Sequence, residues 1–590
     1  MTAVTDLRKS PLPEWLPRWT RQMAELYFSG TTAAFILHGN TDDLFRTTGD
    51  EVSRYGPLSE FLVEQLFGRW AIVLHYDIGQ GLRAYAGRNE TRLKEMVLLI
   101  NRKIGDLSTL AKDPGPALAI IDRFVRNNIM AADADRVSFA LVLNQASYVF
   151  PAGEPGRLSA QASQLVTLLN WASSPQVKQL NMAFVLIDEK LNEISARLAS
   201  SPHVAAIEVP LPDEKERAGF ARAATMPPLG RDLASFSDFG VPELATLTAG
   251  ISLADLNVLI QSADENGQRL DATVFRALKK RLIERQCRDL LEFMEPKWTL
   301  DTVVGHEAAK TRLRQDAALL KRGALDTLPM GYLLCGPVGT GKSFLAQCVS
   351  GEIGIPCVVL KNFRSKYVGE TEGNLERVLS VLRAMGPVVV VVDEADAALG
   401  SRESDGDSGT SSRVFAMIAS QMGDTKYRGR ILWMLLTARP DLLPIDLKRQ
   451  GRAEVHIPLF YPTDEAEIRQ LFVVLAKKLG SSLKAEDIPP IPQRGQLSGA
   501  DIEGMVGRAW RLSLLAGADH VTKEALADVV SQFLPSTQGL ERELQEIAAI
   551  LECTDSQFLT QAARDQIAAD GGRGKLQARM TALKQIVKGL

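Results

Sequence analysis

LLCGPVGTGKSFLAQ, residues 333–347, decides how the rest of the chain is read. An apolar run enters a glycine-rich turn and leaves it as the start of a helix. The central eight residues, Gly336, Pro337, Val338, Gly339, Thr340, Gly341, Lys342 and Ser343, fit G-x-x-x-x-G-K-[ST]. In that pattern the backbone N–H groups of the loop and of the helix start wrap phosphate oxygens. Glycine is needed where a side chain would block the close approach. The pattern sets Lys342 over the β- and γ-phosphates and turns the Ser343 hydroxyl to Mg²⁺.

The following hundred residues support this reading. VVVVVDEADAAL ends an apolar run in Asp393 and Glu394. A buried parallel strand explains the valines but not two carboxylates at its tip. Beside a phosphate loop, the first carboxylate suits the Mg²⁺ shell and the second suits activation of the attacking water. Further on, Arg449 and Arg452 flank Gln450 and Gly451 after a short helical segment. Arginines at that distance from the two earlier motifs fit fingers that meet γ-phosphate charge from a neighbouring subunit, a contribution of about 10³ or more in rate.

Composition sets the outer limits. The chain has 590 residues, enough for about three or four domains. Lys plus Arg number 68 and Asp plus Glu 71, a formal net charge of −3, so no global basic excess recruits nucleic acid. Five scattered cysteines without CxxC spacing argue for a reducing compartment, with neither a disulfide framework nor a zinc site. No uninterrupted apolar run approaches the roughly 18 residues of a membrane span, and the expected setting is cytoplasmic.

The pattern predicts an α/β protein of two tandem modules, each a parallel-sheet core followed by a helical part. Residues 1–25, with Pro11, Pro13 and Pro17, read as an N-terminal arm. Residues 26–285 form the first module, with strands expected at 33–39, 71–77, 117–122, 138–144 and 182–188. A connector, 286–300, leads to the second core, 301–462, with strands at 331–336, 357–361, 388–393 and 431–437. A helical lid, 463–535, and a helical tail, 536–590, complete the chain. The tail carries Leu540, Leu544, Ile547 and Leu551 on one helix face and Leu576, Met580, Leu583 and Ile586 on another, and reads as packing. LVLNQAS (141–147) lies over VVVDEAD (390–396), IEVPLP (207–212) over VHIPLF (455–460), and GISLADL (250–256) over LSGADIE (497–503), all at an offset of about 250 residues.

GPVGTGKS, VVVVVDEAD, TARPDLL, RQGR and LSGAD, in that order, resemble the AAA family of the AAA+ ATPases over about residues 290–535. The resemblance implies ATP and Mg²⁺ as cofactors, Lys342, Glu394, Arg449 and Arg452 as catalytic groups, and Ser343 and Asp393 at the metal. It places the nucleotide against Gly336–Phe344, with Val304 and Gly305 on one side of the base and Gly499 and Ala500 on the other. It implies self-assembly into a ring, usually a hexamer, and a protein client gripped in the pore by Tyr367, Val368 and Gly369. Ala438 departs from the family, which usually has asparagine there to position the attacking water. The resemblance therefore leaves open an ATP-gated scaffold with slow hydrolysis, and nucleic acid is the weaker partner.

The first module reads as a copy without the chemistry. His38-Gly39-Asn40-Thr41-Asp42-Asp43 stands where the phosphate loop would be, without a lysine and with two carboxylates that repel phosphate. Asn144-Gln145 replaces the acidic pair and can neither bind Mg²⁺ strongly nor act as a base. With a degenerate first half and a GTSSRVF stretch at 409–415, most of the chain is similar, more loosely in the first half, to the AAA proteins of conserved plastid and cyanobacterial reading frames.

Overall fold

The computed structural model describes residue 13 and residues 15–48, 53–107, 112–153, 159–226, 231–265, 269–287, 290–295, 297–361, 370–399, 410–491, 495–534 and 539–588. Tyr367, Val368 and Gly369 of the expected pore loop lie outside these residues, as do residues 401–409. The chain forms two compact units, residues 1–286 with 372–385, and residues 287–371 with 386–590.

The first unit carries strands β1 (Ala34–Gly39), β2 (Leu44–Arg46), β3 (Tyr55–Pro57), β4 (Ile72–Asp77), β5 (Gly81–Ala84), β6 (Phe139–Asn144), β7 (Met182–Ile187) and β8 (Val204–Val209). Its main sheet runs β5-β4-β6-β7-β1-β8, parallel except for the β4–β5 hairpin at one edge, and β2 pairs with β3 apart from it. The second unit carries β9 (Leu291–Phe293), β10 (Gly331–Cys335), β11 (Cys357–Leu360), β12 (Val388–Val392), β13 (Ile431–Thr437) and β14 (Val455–Pro458). Its sheet runs β14-β10-β13-β12-β11-β9, again parallel except for its last strand. Stripped of the antiparallel edge, both sheets have the fifth parallel strand beside the first, then the fourth, third and second. The repeat read from the sequence is thus a repeat of topology.

Strands buried on both faces need continuous apolar runs, and Val388 to Val392 and Ile431 to Thr437 are buried throughout. Three expectations are corrected. Residues 117–122 are not a strand but part of the helix Pro114–Met130, which buries Ala117, Leu118, Ile121, Phe124, Val125 and Asn128. That spacing follows a 3.6-residue period, and Pro114 and Pro116 fit a helix start. The N-terminal arm is packed from Leu16 onward, because Leu16, Trp19 and Met23 belong to the core of the first unit. The connector 286–300 contains β9, which covers the edge of β11.

Each core continues into helices. In the second unit Glu465–Lys478, Gly499–Leu515 and Lys523–Gln532 enclose a core around Phe472, Met505 and Leu526. The tail helices Gly539–Glu552 and Gly572–Lys588 pack on each other through Leu544, Ile547, Met580 and Leu583. Among the described residues, no helix is long and apolar enough to cross a membrane.

Candidate nucleotide site

In the second unit β10 ends at Cys335 and the chain turns at Gly336, whose φ is 141°. A Cβ there would collide with the Leu459 carbonyl at the end of β14, so the loop can leave the sheet only as glycine. Gly339, at φ 84°, lies against Ser498, the N-cap of the lid helix Gly499–Leu515, where a Cβ would come within 2.8 Å of the Ser498 side chain. Phosphate loop and lid therefore touch at a residue without a side chain. The next helix starts at Lys342.

Lys342 bends back over the loop, and its Nζ donates to the carbonyls of Gly336 and Pro337 at 2.8 and 2.9 Å. Burial pushes its ammonium down to about 8, against the weaker opposing charges of Asp393 and Asp396. Ser343 Oγ donates to Asp393 Oδ2 at 2.8 Å, joining the loop to the tip of β12. Asp393 Oδ1 accepts from the Glu394 N–H at 2.9 Å, and Glu394 sits in the left-handed region at φ 48°. That turn leaves the Asp393 and Glu394 side chains exposed at the mouth of a cleft of about 850 Å³.

The cleft brings together most of the residues read from the sequence. Val304, Gly305, Val338 to Phe344, Asp393, Glu394, Gly499 and Ala500 all line it. Phe344 lies half-buried with Lys478 Nζ 5.1 Å from its ring centroid. Ala438 also lines the cleft and presents only a methyl group. Its neighbour Thr437 is buried and donates to Asp396 Oδ1 at 2.6 Å, so its hydroxyl is engaged. Arg449 and Arg452 are not among the lining residues. Arg449 is 59% exposed, 3.8 Å from Asp446. Arg452 is 13% exposed and folds back, its guanidinium donating to the Asp446 carbonyl at 2.8 Å. The two arginines are therefore unequal: the first projects and the second folds back on Asp446.

Sequence reasoning missed one contributor altogether. Glu541, Gln545 and residues 557–560 of the tail line the same cleft, and the buried Gln545 accepts from the Val338 N–H at 3.1 Å.

The corresponding place in the first unit is filled from within. Gly39, at φ 98°, meets the Val209 carbonyl as Gly336 meets that of Leu459. The loop then turns Asp43 inward, with 4% of the residue exposed. Asp43 Oδ1 accepts from the N–H groups of Leu44 and Ala254 at 2.8 and 2.7 Å, and Oδ2 from Leu253 N–H and Asn40 Nδ2 at 3.0 and 2.7 Å. Leu253 opens the helix Leu253–Glu265, the counterpart of Gly499–Leu515. A carboxylate of the chain thus occupies the helix N-terminus, where an anion is favoured. Burial raises the Asp43 carboxyl above its ordinary range, and its donors pull the other way. Gln145 keeps the left-handed backbone of Glu394, at φ 52°.

Strand order, phosphate loop and acidic strand tip together define an ATPase core of the AAA+ class. Three family models agree: residues 10–210 match "AAA+ chaperone, N-terminal Rossmann-like domain", residues 215–288 "AAA+ chaperone, second helical domain", and residues 332–461 "ATPase family associated with various cellular activities". The chain thus carries, in order, matches to a Rossmann-like domain, a second helical domain and an AAA ATPase domain. It is similar to the Cell division cycle protein 48 homolog of Archaeoglobus fulgidus, 28% identical over 340 residues that make 52% of this chain and 45% of that protein. It is similar also to the ATP-dependent zinc metalloprotease FtsH 3 of Sphaerobacter thermophilus, 30% identical over 260 residues (42% and 52%). The Uncharacterized AAA domain-containing protein ycf46 of Gracilaria tenuistipitata var. liui is 28% identical over 265 residues (44% and 52%). The chain spans about half the length of these curated relatives.

Proposed function

We propose that this chain is a Mg-dependent ATPase that assembles into a hexameric ring and couples ATP binding and hydrolysis between subunits to remodelling of a protein client. The observation that carries the reading is the 2.8 Å bond between Ser343 and Asp393, which sets the two metal-binding side chains together beside Lys342 and Glu394. The residues present fit a nucleotide: glycines clear the loop, Lys342 supplies the cation, and the 850 Å³ cleft is large enough to hold it. Bound Mg-ATP supplies the phosphoanhydride bond and the metal charge. Ser343 and Asp393 would hold the metal, Lys342 would neutralise phosphate charge, and Glu394 would take the proton of the attacking water. Arg449 and Arg452 of one subunit act on the cleft of the next, consistent with their standing outside the lining of their own. Tyr367, Val368 and Gly369 grip the client.

The test is Mg-ATP hydrolysis as a function of protein concentration, wild type beside Glu394→Gln. A rate per subunit that climbs with concentration and vanishes in the variant supports the ring. A rate independent of concentration refutes catalysis across an interface. A second reading, an ATP-gated assembly scaffold, is favoured by Ala438, whose methyl offers no polar group to the water, with the Thr437 hydroxyl already committed to Asp396. Tyr367→Ala separates the two, because client processing that survives with ATPase intact removes threading. A nucleic-acid motor is the weaker reading on the charge balance of −3.

A further inference from the structure

The tail helix Gly539–Glu552 does more than bury leucines. Val338 stands at the tip of the phosphate loop with 65% of its surface exposed, so apolar packing does not fix it. Polar groups hold it on both sides instead. Its N–H donates to Gln545 Oε1 of the tail helix at 3.1 Å, and its carbonyl accepts from the Tyr461 hydroxyl at 2.7 Å. The Tyr461 ring in turn lies 5.4 Å from the guanidinium of Arg542, one turn before Gln545 on the same helix.

The tail reaches this position through anchors independent of the loop. Lys448 pairs with Glu552 at 2.5 Å, Lys584 with Asp441 at 2.9 Å, and the His456 N–H donates to Thr554 Oγ1 at 2.9 Å. Phe460, Ile550, Leu559 and Ala563 form an apolar cluster around them. Deleting the Gln545 bond alone therefore leaves the tail docked.

We propose that Gln545 is a positioning residue for the phosphate loop, and that occupancy of the cleft by ATP and docking of residues 539–588 stabilise each other. The inference rests on the ATP reading of residues 336–343. Coupling of this kind is reciprocal: if the tail improves ATP binding, ATP tightens the tail by the same factor. Anything that lifts the tail then loosens ATP.

The test uses the full chain and a fluorescent ATP analogue, with Gln545→Leu, Val338→Pro and the double variant. Proline removes the donor as leucine removes the acceptor. Each single variant is expected to raise the Kd about 5- to 10-fold, the worth of one part-buried hydrogen bond, and the double variant to be no worse than either. ATP is expected to slow amide exchange across 539–552 in the wild type and not in the variants. Val338→Pro lies outside the tail helix, so its loss of tail protection does not depend on the folding of Gln545→Leu. Wild-type binding by Gln545→Leu, or additive losses in the double variant, overturns the proposal. Failure of the wild type to bind ATP overturns the ATP reading and this inference with it.

Discussion

Replacing Asp43 by alanine removes the one acceptor shared by four donors: the N–H groups of Leu44, Leu253 and Ala254 and the amide of Asn40, all within 3.0 Å. The site is closed, with 4% of Asp43 exposed. Each buried donor left unpaired costs about 1–3 kcal/mol. Two effects offset that sum: the variant no longer buries a carboxylate whose burial raises its pKa, and water can enter the vacated space. A net loss of about 3 kcal/mol follows, at the low end for breaking a buried charged contact. It falls on the tie between the phosphate-loop remnant and the helix Leu253–Glu265 rather than on the sheet. Amide exchange across residues 253–265 reads it, and about 3 kcal/mol corresponds to roughly 150-fold faster exchange, while Phe139 to Asn144 in β6 keep their protection. Asp43→Asn is also destabilising, because its NH₂ faces a donor wherever it is turned. Exchange across 253–265 within threefold of wild type in Asp43→Ala would refute the idea that this carboxylate closes the first unit.

Lys342 gives a pH signature. With its ammonium held down to about 8 in the free protein, phosphate oxygens restore the charge, so ATP binding takes up more proton as pH rises from about 7 to about 9, and affinity falls through that window. Calorimetry in buffers of different ionisation enthalpy measures it, and uptake that stays flat across the window contradicts the assignment. Ala438→Asn is expected to raise kcat about tenfold by giving the water a polar partner, read by steady-state hydrolysis at saturating ATP; no gain means that Ala438 does not limit the reaction. Mixing Arg449→Ala with Glu394→Gln subunits, each inactive alone, is expected to restore part of the hydrolysis, because some interfaces then pair an intact finger with an intact base. Absence of recovery in assembled mixtures argues against action in trans. Thr437→Val removes the 2.6 Å bond to Asp396 and is expected to destabilise the second unit by about 1 kcal/mol, visible as a shift in its thermal transition.

The parallel strands were legible in the sequence because burial on both faces leaves no room for polar residues, and LLCGPVGTGKS and VVVVVDEAD announced the site through glycines and carboxylates that packing does not explain. ALAIID misled because a short apolar run looks alike in a strand and in a buried helix, and only the proline-led helical period of 114–130 separates them. Arg449 and Arg452 read as a matched pair, since spacing says nothing of which side chain folds back on Asp446. Asp43 read as a charge that repels phosphate. The structure turns the same carboxylate inward, onto amides some 210 residues away in the chain. Gln545 was illegible for the same reason: its partner is 207 residues distant, and a polar residue among tail leucines carries no mark of it.

The left-handed turn shared by Gln145 and Glu394, at φ 52° and 48°, bears on how far the first unit stands from the acidic tip of the second. A non-glycine residue in that region costs of order 1 kcal/mol or more, and the first unit retains it with no base to aim. The turn is therefore a property of how a central strand hands over to its helix. Asn144→Asp with Gln145→Glu would rebuild the acidic tip on a backbone already shaped for it. A phosphate loop has no such route. Four residues separate Gly39 from Leu44, where β2 already begins, whereas five separate Gly336 from the helix that starts at Lys342. An acidic tip in the first unit is two substitutions away, whereas a loop like that of the second unit requires a different length of chain.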